Sequence, residues 1–160
     1  MLTGIISPAS AAPTPASPVI SSMPEVGTSA VFNDYRIRNL NSGKCLLVRG
    51  GADNTQVVQN TCLDFADQKW VLEYKGSFAR IRNMNSGKCL LVRGLEDNTP
   101  VVQNTCLDFA DQYWNLSDYG TGLLWIQNVN SGKCLLVRGG NDNAPLVQSA
   151  CGQFPDQAWY

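Results

Sequence analysis

The stretch from Ile37 to Trp70 recurs from Ile81 to Trp114 with only five differences, at the pairs Leu40 and Met84, Gly51 and Leu95, Ala52 and Glu96, Gln56 and Pro100, and Lys69 and Tyr113. A third version runs from Ile126 to Trp159 and diverges most after Val147. The decapeptide NSGKCLLVRG stands unchanged at 41–50, 85–94 and 130–139, and the first cysteines of the copies are 44 and 45 residues apart. A repeat of this length is one supersecondary unit used three times, and it decides the architecture before any single element does.

Each unit reads as short strands without a helix. Tyr35 and Ile37 alternate with Arg36 and Arg38, Lys44 to Val48 and Val57 to Gln59 are β-rich runs, and Trp70 to Tyr74 is a fourth; Asn, Gly, Asp and Thr lie between them. Four strands per unit give about twelve in all. An open stack of three such units would leave its ends exposed. Closing them around a threefold axis removes the edges. The expected fold is therefore all-β, a β-trefoil with pseudo-threefold symmetry over residues 33–160, its repeats about 33–76, 77–120 and 121–160.

Residues 1–32 read differently. They are rich in Ala, Pro, Ser and Thr, and the first thirty hold no Lys or Arg, which predicts a disordered leader or linker. Leu2 to Ile6 followed by Ala9, Ser10 and Ala11 resembles the end of a secretory signal, although a basic start is missing.

The 12 basic and 13 acidic residues leave a formal charge of -1, too balanced for nucleic acid or anionic lipid, and no apolar run is long enough to span a bilayer. Histidine is absent, which removes imidazole bases, Ser-His and Cys-His pairs and histidine zinc sites. No metal or cofactor is expected. The turns GADN, LEDN and GNDN lack the spacing of a calcium loop and read as Asp and Asn turn chemistry. A hydrolase needs two carboxylates across a cleft; Asp64 and Asp67 are close in sequence, with nothing to place a cleft over them, so no enzymatic activity is expected.

Six cysteines, two per copy, permit fifteen pairings. Repeat symmetry favours the bridge within each copy: Cys45 with Cys62, Cys89 with Cys106 and Cys134 with Cys151. The alternatives are six reduced core thiols or a zinc site, and the latter needs C-x-x-C pairs the chain lacks. Bridges imply an oxidising, extracellular setting.

Each copy carries G-K-C-L near its start and closes on Q-x-W, as Gln68 to Trp70, Gln112 to Trp114 and Gln157 to Trp159. Three such pairs in register resemble the ricin B-type lectin domains, which include the family 13 carbohydrate-binding modules. The resemblance spans Tyr35 to Tyr160. It implies a β-trefoil, disulfides within repeats and shallow sugar sites, one per repeat. The tryptophans suit a threefold core, and Gln68, Gln112 and Gln157 suit buried structural amides.

The same resemblance puts a sugar-binding carboxylate two positions after the first cysteine and a stacking aromatic two positions before the second. This chain has Leu47, Leu91 and Leu136 at the first position and Asn60, Asn104 and Ser149 at the second. What matches is a polar frame: Gln59, Gln103 and Gln148, and Asp67, Asp111 and Asp156 just before each Q-x-W. Strand alternation sends Leu46 and Val48 to the core and Leu47 to the former ligand face. Two readings stay open there. One is an apolar plug over the disulfide. The other is a rebuilt pocket in which Phe65, Phe109 and Phe154 replace the lost platform, with Asp64, Asp108, Asn60, Asn104, Arg49, Arg93 and Arg138 around it. The arginines would otherwise pair with Asp53, Asp97 and Asp142. The expected partner is a glycan, polysaccharide or glycoprotein; the alternative is a β-trefoil scaffold or protein-interaction module that has lost sugar binding.

Overall fold

The structure is a computed structural model and describes residues 30–160. Apart from its last three residues, the expected leader lies outside the described residues. The described residues form a β-trefoil of eleven strands: β1 (Val31–Tyr35), β2 (Cys45–Val48), β3 (Val57–Asn60), β4 (Trp70–Lys75), β5 (Phe78–Asn83), β6 (Cys89–Val92), β7 (Val101–Asn104), β8 (Tyr113–Gly120), β9 (Leu123–Asn128), β10 (Cys134–Val137) and β11 (Leu146–Ser149). The twelfth position is held by Trp159, which bridges Asn39 and Leu124. Among the described residues no helix is long and apolar enough to cross a membrane.

The first strand departs from the expected Tyr35–Arg38. It begins at Val31, ahead of the expected boundary at 33, because Val31 and Phe32 pair with Glu73 and Leu72, and the Phe32 ring packs edge-on against Tyr35 and Tyr74. Asp34 at φ 67° accompanies the register shift within the strand, and past Tyr35 only isolated bridges continue.

Three hairpins, one per repeat, share a single register. In the first, Cys45 pairs with Asn60, Leu46 with Gln59, Leu47 with Val58 and Val48 with Val57, and β6–β7 and β10–β11 repeat that register. The turn before each is built by an asparagine outside the decapeptide. Asn39 Oδ1 accepts from the N–H groups of Asn41 (3.1 Å) and Ser42 (3.2 Å), and Gly43 takes φ 66°, open to glycine without strain. Asn83 and Asn128 do the same in their repeats.

The core is stacked in threes. Ile37, Ile81 and Ile126 form one set; Leu46, Leu90 and Leu135 another; then Val48, Val92 and Val137, and Val57, Val101 and Leu146. Trp70, Trp114 and Trp159 are at most 1% exposed, and each indole N–H donates to a leucine carbonyl, of Leu46, Leu90 and Leu135. Alternation along the strand is obeyed, with Leu46 and Val48 in this core and Leu47 outside it. Yet Leu47, Leu91 and Leu136 are each 1% exposed, so both faces of these strands are covered.

All three disulfides join the cysteines within a repeat: Cys45–Cys62, Cys89–Cys106 and Cys134–Cys151.

Candidate functional site

The loop after each second cysteine ends in a short 3-10 turn, Ala66–Gln68, Ala110–Gln112 or Pro155–Gln157. The glutamine pins it. Gln68 Oε1 accepts from the Leu63 N–H (2.7 Å) while its Nε2 donates to the Thr61 carbonyl (2.9 Å), and Gln112 and Gln157 repeat both bonds. The amide is thereby satisfied out of water, as its burial requires.

The preceding aspartate is held differently. The carbonyls of Asp67, Asp111 and Asp156 accept from the side-chain amides of Asn83, Asn128 and Asn39 at 2.8–2.9 Å. In all three repeats the carboxylate Oδ1 is buried without any hydrogen-bond partner. Native structures keep few such atoms, and this one recurs in all three repeats. The fully buried asparagines 39, 83 and 128 position these aspartates, and sequence reasoning missed them. Their only signal is an Asn two residues before each decapeptide.

Two residues before each aspartate stands an exposed ring: Phe65 and Phe154 are 61% exposed and Phe109 62%. In the third repeat Phe154 and Asp156 line a cavity of about 300 Å³ with Leu136, Arg138 and Ser149. Gly152 shapes it, since a Cβ there would lie 2.5 Å from the Phe154 ring; the first two repeats carry Leu63 and Leu107 instead.

Other candidates are placed elsewhere. Gln59, Gln103 and Gln148 are entirely buried. Gln59 accepts from the Ser42 hydroxyl (2.6 Å) and donates to the carbonyls of Gly139 and Asn141, and the other two repeat the pattern. These amides knit neighbouring repeats and have nothing left to offer a ligand. Asn60 and Asn104 donate to Asn143 and Asn54 across the same boundaries. Asp64 is engaged by Arg36 and by Lys69 (2.9 Å), and Asp108 by Lys75 (2.7 Å) and the Tyr113 hydroxyl (2.6 Å). Those partners hold both carboxyls below the usual carboxylate range, Lys69 ahead of Arg36 and Lys75 ahead of Tyr113.

The expected pairing of arginines with turn aspartates is corrected. Arg49 donates to Asn143 (3.1 Å) and Arg138 to Asn98 (2.9 Å), while Arg93 is exposed. The aspartates go to lysines of the next repeat: Asp53 to Lys88 and Asp97 to Lys133 at 2.6 Å, Asp142 to Lys44 at 2.5 Å. The turns hold Asn54, Asn98 and Asn143 at φ 62–64°, a region that asparagine tolerates, and their N–H groups donate across the boundary to the carbonyls of Gln103, Gln148 and Gln59 at 2.8 Å, beside the aspartate–lysine pairs.

These clasps set an acid limit. Hydrogen bonding from Lys88, Lys133 and Lys44 lowers the carboxyls of Asp53, Asp97 and Asp142 below 3.8 in the folded chain. A carboxyl whose folded value is depressed lends stability above its unfolded value and loses it as pH falls through the folded one. The melting temperature should therefore be flat from pH 7 to about 5 and fall below about 4. The triple variant D53N/D97N/D142N should show a shallower acid limb in thermal scans; an unchanged limb would remove the clasps from the explanation.

Residues 33–159 match the ricin-type beta-trefoil lectin domain, and the chain belongs to that family. Comparison with curated proteins finds no match. Among solved structures, the chain is similar to the designed threefold-symmetric protein ThreeFoil, with 27% identity and a TM-score of 0.76 over 78% of this chain and 94% of that one. It is also similar to the exo-beta-1,3-galactanase 1,3Gal43A of Clostridium thermocellum (32% identity, TM-score 0.74) and to the hemolytic lectin CEL-III (31%, 0.66). In each case 79% of this chain is covered, but only 29% of the galactanase and 30% of CEL-III.

Proposed function

We propose that this chain is a non-catalytic carbohydrate-binding domain of an oxidising, extracellular compartment, holding glycans, polysaccharides or glycoproteins weakly at up to three rebuilt sites. The observation that carries this reading is the third repeat's cavity, which Phe154 and Asp156 line together, with an unpartnered aspartate oxygen two residues after an exposed phenylalanine recurring in every repeat. A pyranose has an apolar C–H face and a rim of hydroxyl donors; the ring takes the face and the carboxylate takes the rim. Leu136 floors the cavity where the family's usual carboxylate is missing, and Asp156 supplies an acceptor from the neighbouring loop. Arg138, at the cavity edge, adds a donor for an acidic substituent. Three shallow sites on one rigid body gain avidity on a polymer, by about 10²–10⁴ over one site.

The galactanase and the lectin among the similar structures agree with this reading. A second reading, a scaffold or interaction module without sugar binding, is favoured by Leu47, Leu91 and Leu136, which fill the old ligand position.

A glycan array and retention on insoluble polysaccharide decide between them. Phe154→Ala should weaken retention modestly, and the triple change at Phe65, Phe109 and Phe154 should abolish it with the thermal transition intact. Binding to no glycan by a folded wild-type chain would favour the scaffold.

A further inference from the structure

The loop after each second cysteine is tied to the sheet differently in the three units. In the first, Arg36 and Lys69 both engage the exposed Asp64 carboxylate, and in the second Lys75 and the Tyr113 hydroxyl engage that of Asp108. The third unit carries none of these groups. Trp125 stands where the others have Arg36 and Arg80, Gln153 where they have Asp64 and Asp108, Ala158 where they have Lys69 and Tyr113, and Tyr119 takes the place of Lys75.

Its tie is a neutral bond to the backbone. The Trp125 indole N–H donates to the Gly152 carbonyl at 3.1 Å, and the Tyr119 ring packs edge-on against the indole with centroids 5.2 Å apart. The N–H of the same glycine is taken as well, donating to Gln157 Oε1 at 2.7 Å. Gly152 is therefore held at both of its backbone groups. Trp125, unlike Trp70, Trp114 and Trp159, stands outside the core and is partly exposed.

The consequence falls on Phe154. A Cβ on residue 152 would lie 2.5 and 2.8 Å from two carbons of the Phe154 ring, so the ring lies directly against the glycine backbone and moves if that backbone moves. Leucine, which the other units carry there as Leu63 and Leu107, could not be accommodated under a ring so placed. Indole, glycine and phenylalanine thus form one packed series that ends at the cavity lined by Phe154, Asp156 and Arg138.

We propose that Trp125 is a positioning residue of the third unit's site, its indole N–H fixing Phe154 at the cavity through the Gly152 carbonyl. What the fixed ring then binds rests on the sugar reading; the fixing does not.

Trp125→Phe keeps an apolar ring and deletes the donor. In the isotope-labelled full chain without ligand, the Gly152 amide should exchange with solvent about fivefold faster in this variant, the loss of one ordinary hydrogen bond, while the equivalent amides of Leu63 and Leu107 exchange as before. Retention on cellulose, chitin and agarose gives the second readout, as a double-mutant cycle. Trp125→Phe and Phe154→Ala should each weaken retention, and the double variant should be retained no less than Phe154→Ala alone, whereas a merely structural tryptophan would add its own loss. Unchanged exchange at Gly152, or additive losses in the cycle, would overturn the proposal. A folded wild-type chain retained on none of the three probes would count against the sugar reading instead, and the exchange at Gly152 would then decide by itself whether Trp125 holds the loop.

Discussion

Reduction of the three disulfides should unfold the domain at temperatures where the oxidised chain stays folded. Each bridge spans 17 residues, for which the chain-entropy account gives about 3 kcal/mol. Three together approach the whole stability of an ordinary domain, about 5–15 kcal/mol. The bridges differ in access: Cys62 and Cys106 are half-buried, Cys151 is exposed, and their partners Cys45, Cys89 and Cys134 are buried. Attack by a reductant needs a reachable sulfur, so the third bridge should open first. Circular dichroism melts with and without a phosphine reductant, with thiol alkylation and peptide mapping at intervals, check both statements. A reduced chain melting within a few degrees of the oxidised one would show that the trefoil core is sufficient alone.

Trp114→Ala should cost about 3–5 kcal/mol, among the largest effects of any single core substitution here. The indole is fully buried, and its N–H donates to the Leu90 carbonyl at 3.0 Å, so truncation opens a cavity and orphans an acceptor together. Trp114→Phe refills part of the volume and should lose less. Urea denaturation with a common m-value would resolve the two, and equal losses would mean that the hydrogen bond outweighs the packing.

The strand alternation, the core triplets, the intra-repeat bridges and the framework role of Q-x-W were legible because each depends on residues close in sequence. Leu46 and Val48 point inward by local geometry alone, whatever surrounds the unit. The contacts between units were not legible, and the repetition itself is the reason. Asp53 sees three lysines in identical sequence surroundings, Lys44, Lys88 and Lys133, and only the closed fold selects Lys88. Sequence proximity pairs Arg49 with Asp53 on the same logic, whereas in the fold Asp53 goes to Lys88 and Arg49 to Asn143. Gln59 looked like a ligand group because its hydroxyl and carbonyl partners lie 17 to 82 residues away. At the candidate site, the phenylalanines and aspartates could be named from the repeats, but the unpartnered oxygen depends on how Asn39, Asn83 and Asn128 hold the neighbouring loop, which no local pattern states.

The clasps between repeats bear on how such a domain can change over time. Peptide bonds cross two of the three unit boundaries; the boundary between the last unit and the first is crossed without one, by Lys44 with Asp142, Gln59 with Gly139 and Asn39 with Asp156. The same residue types close all three, so the joints lie in one set of side chains and the exposed phenylalanines in another. One unit can therefore acquire a different surface while its joints stay as they were. The third differs in this way: Gly152 stands under Phe154 where the other two units have Leu63 and Leu107, while Gln157 and Trp159 make the bonds of their counterparts. Triplication on this plan leaves each unit's surface free to vary independently of the joints.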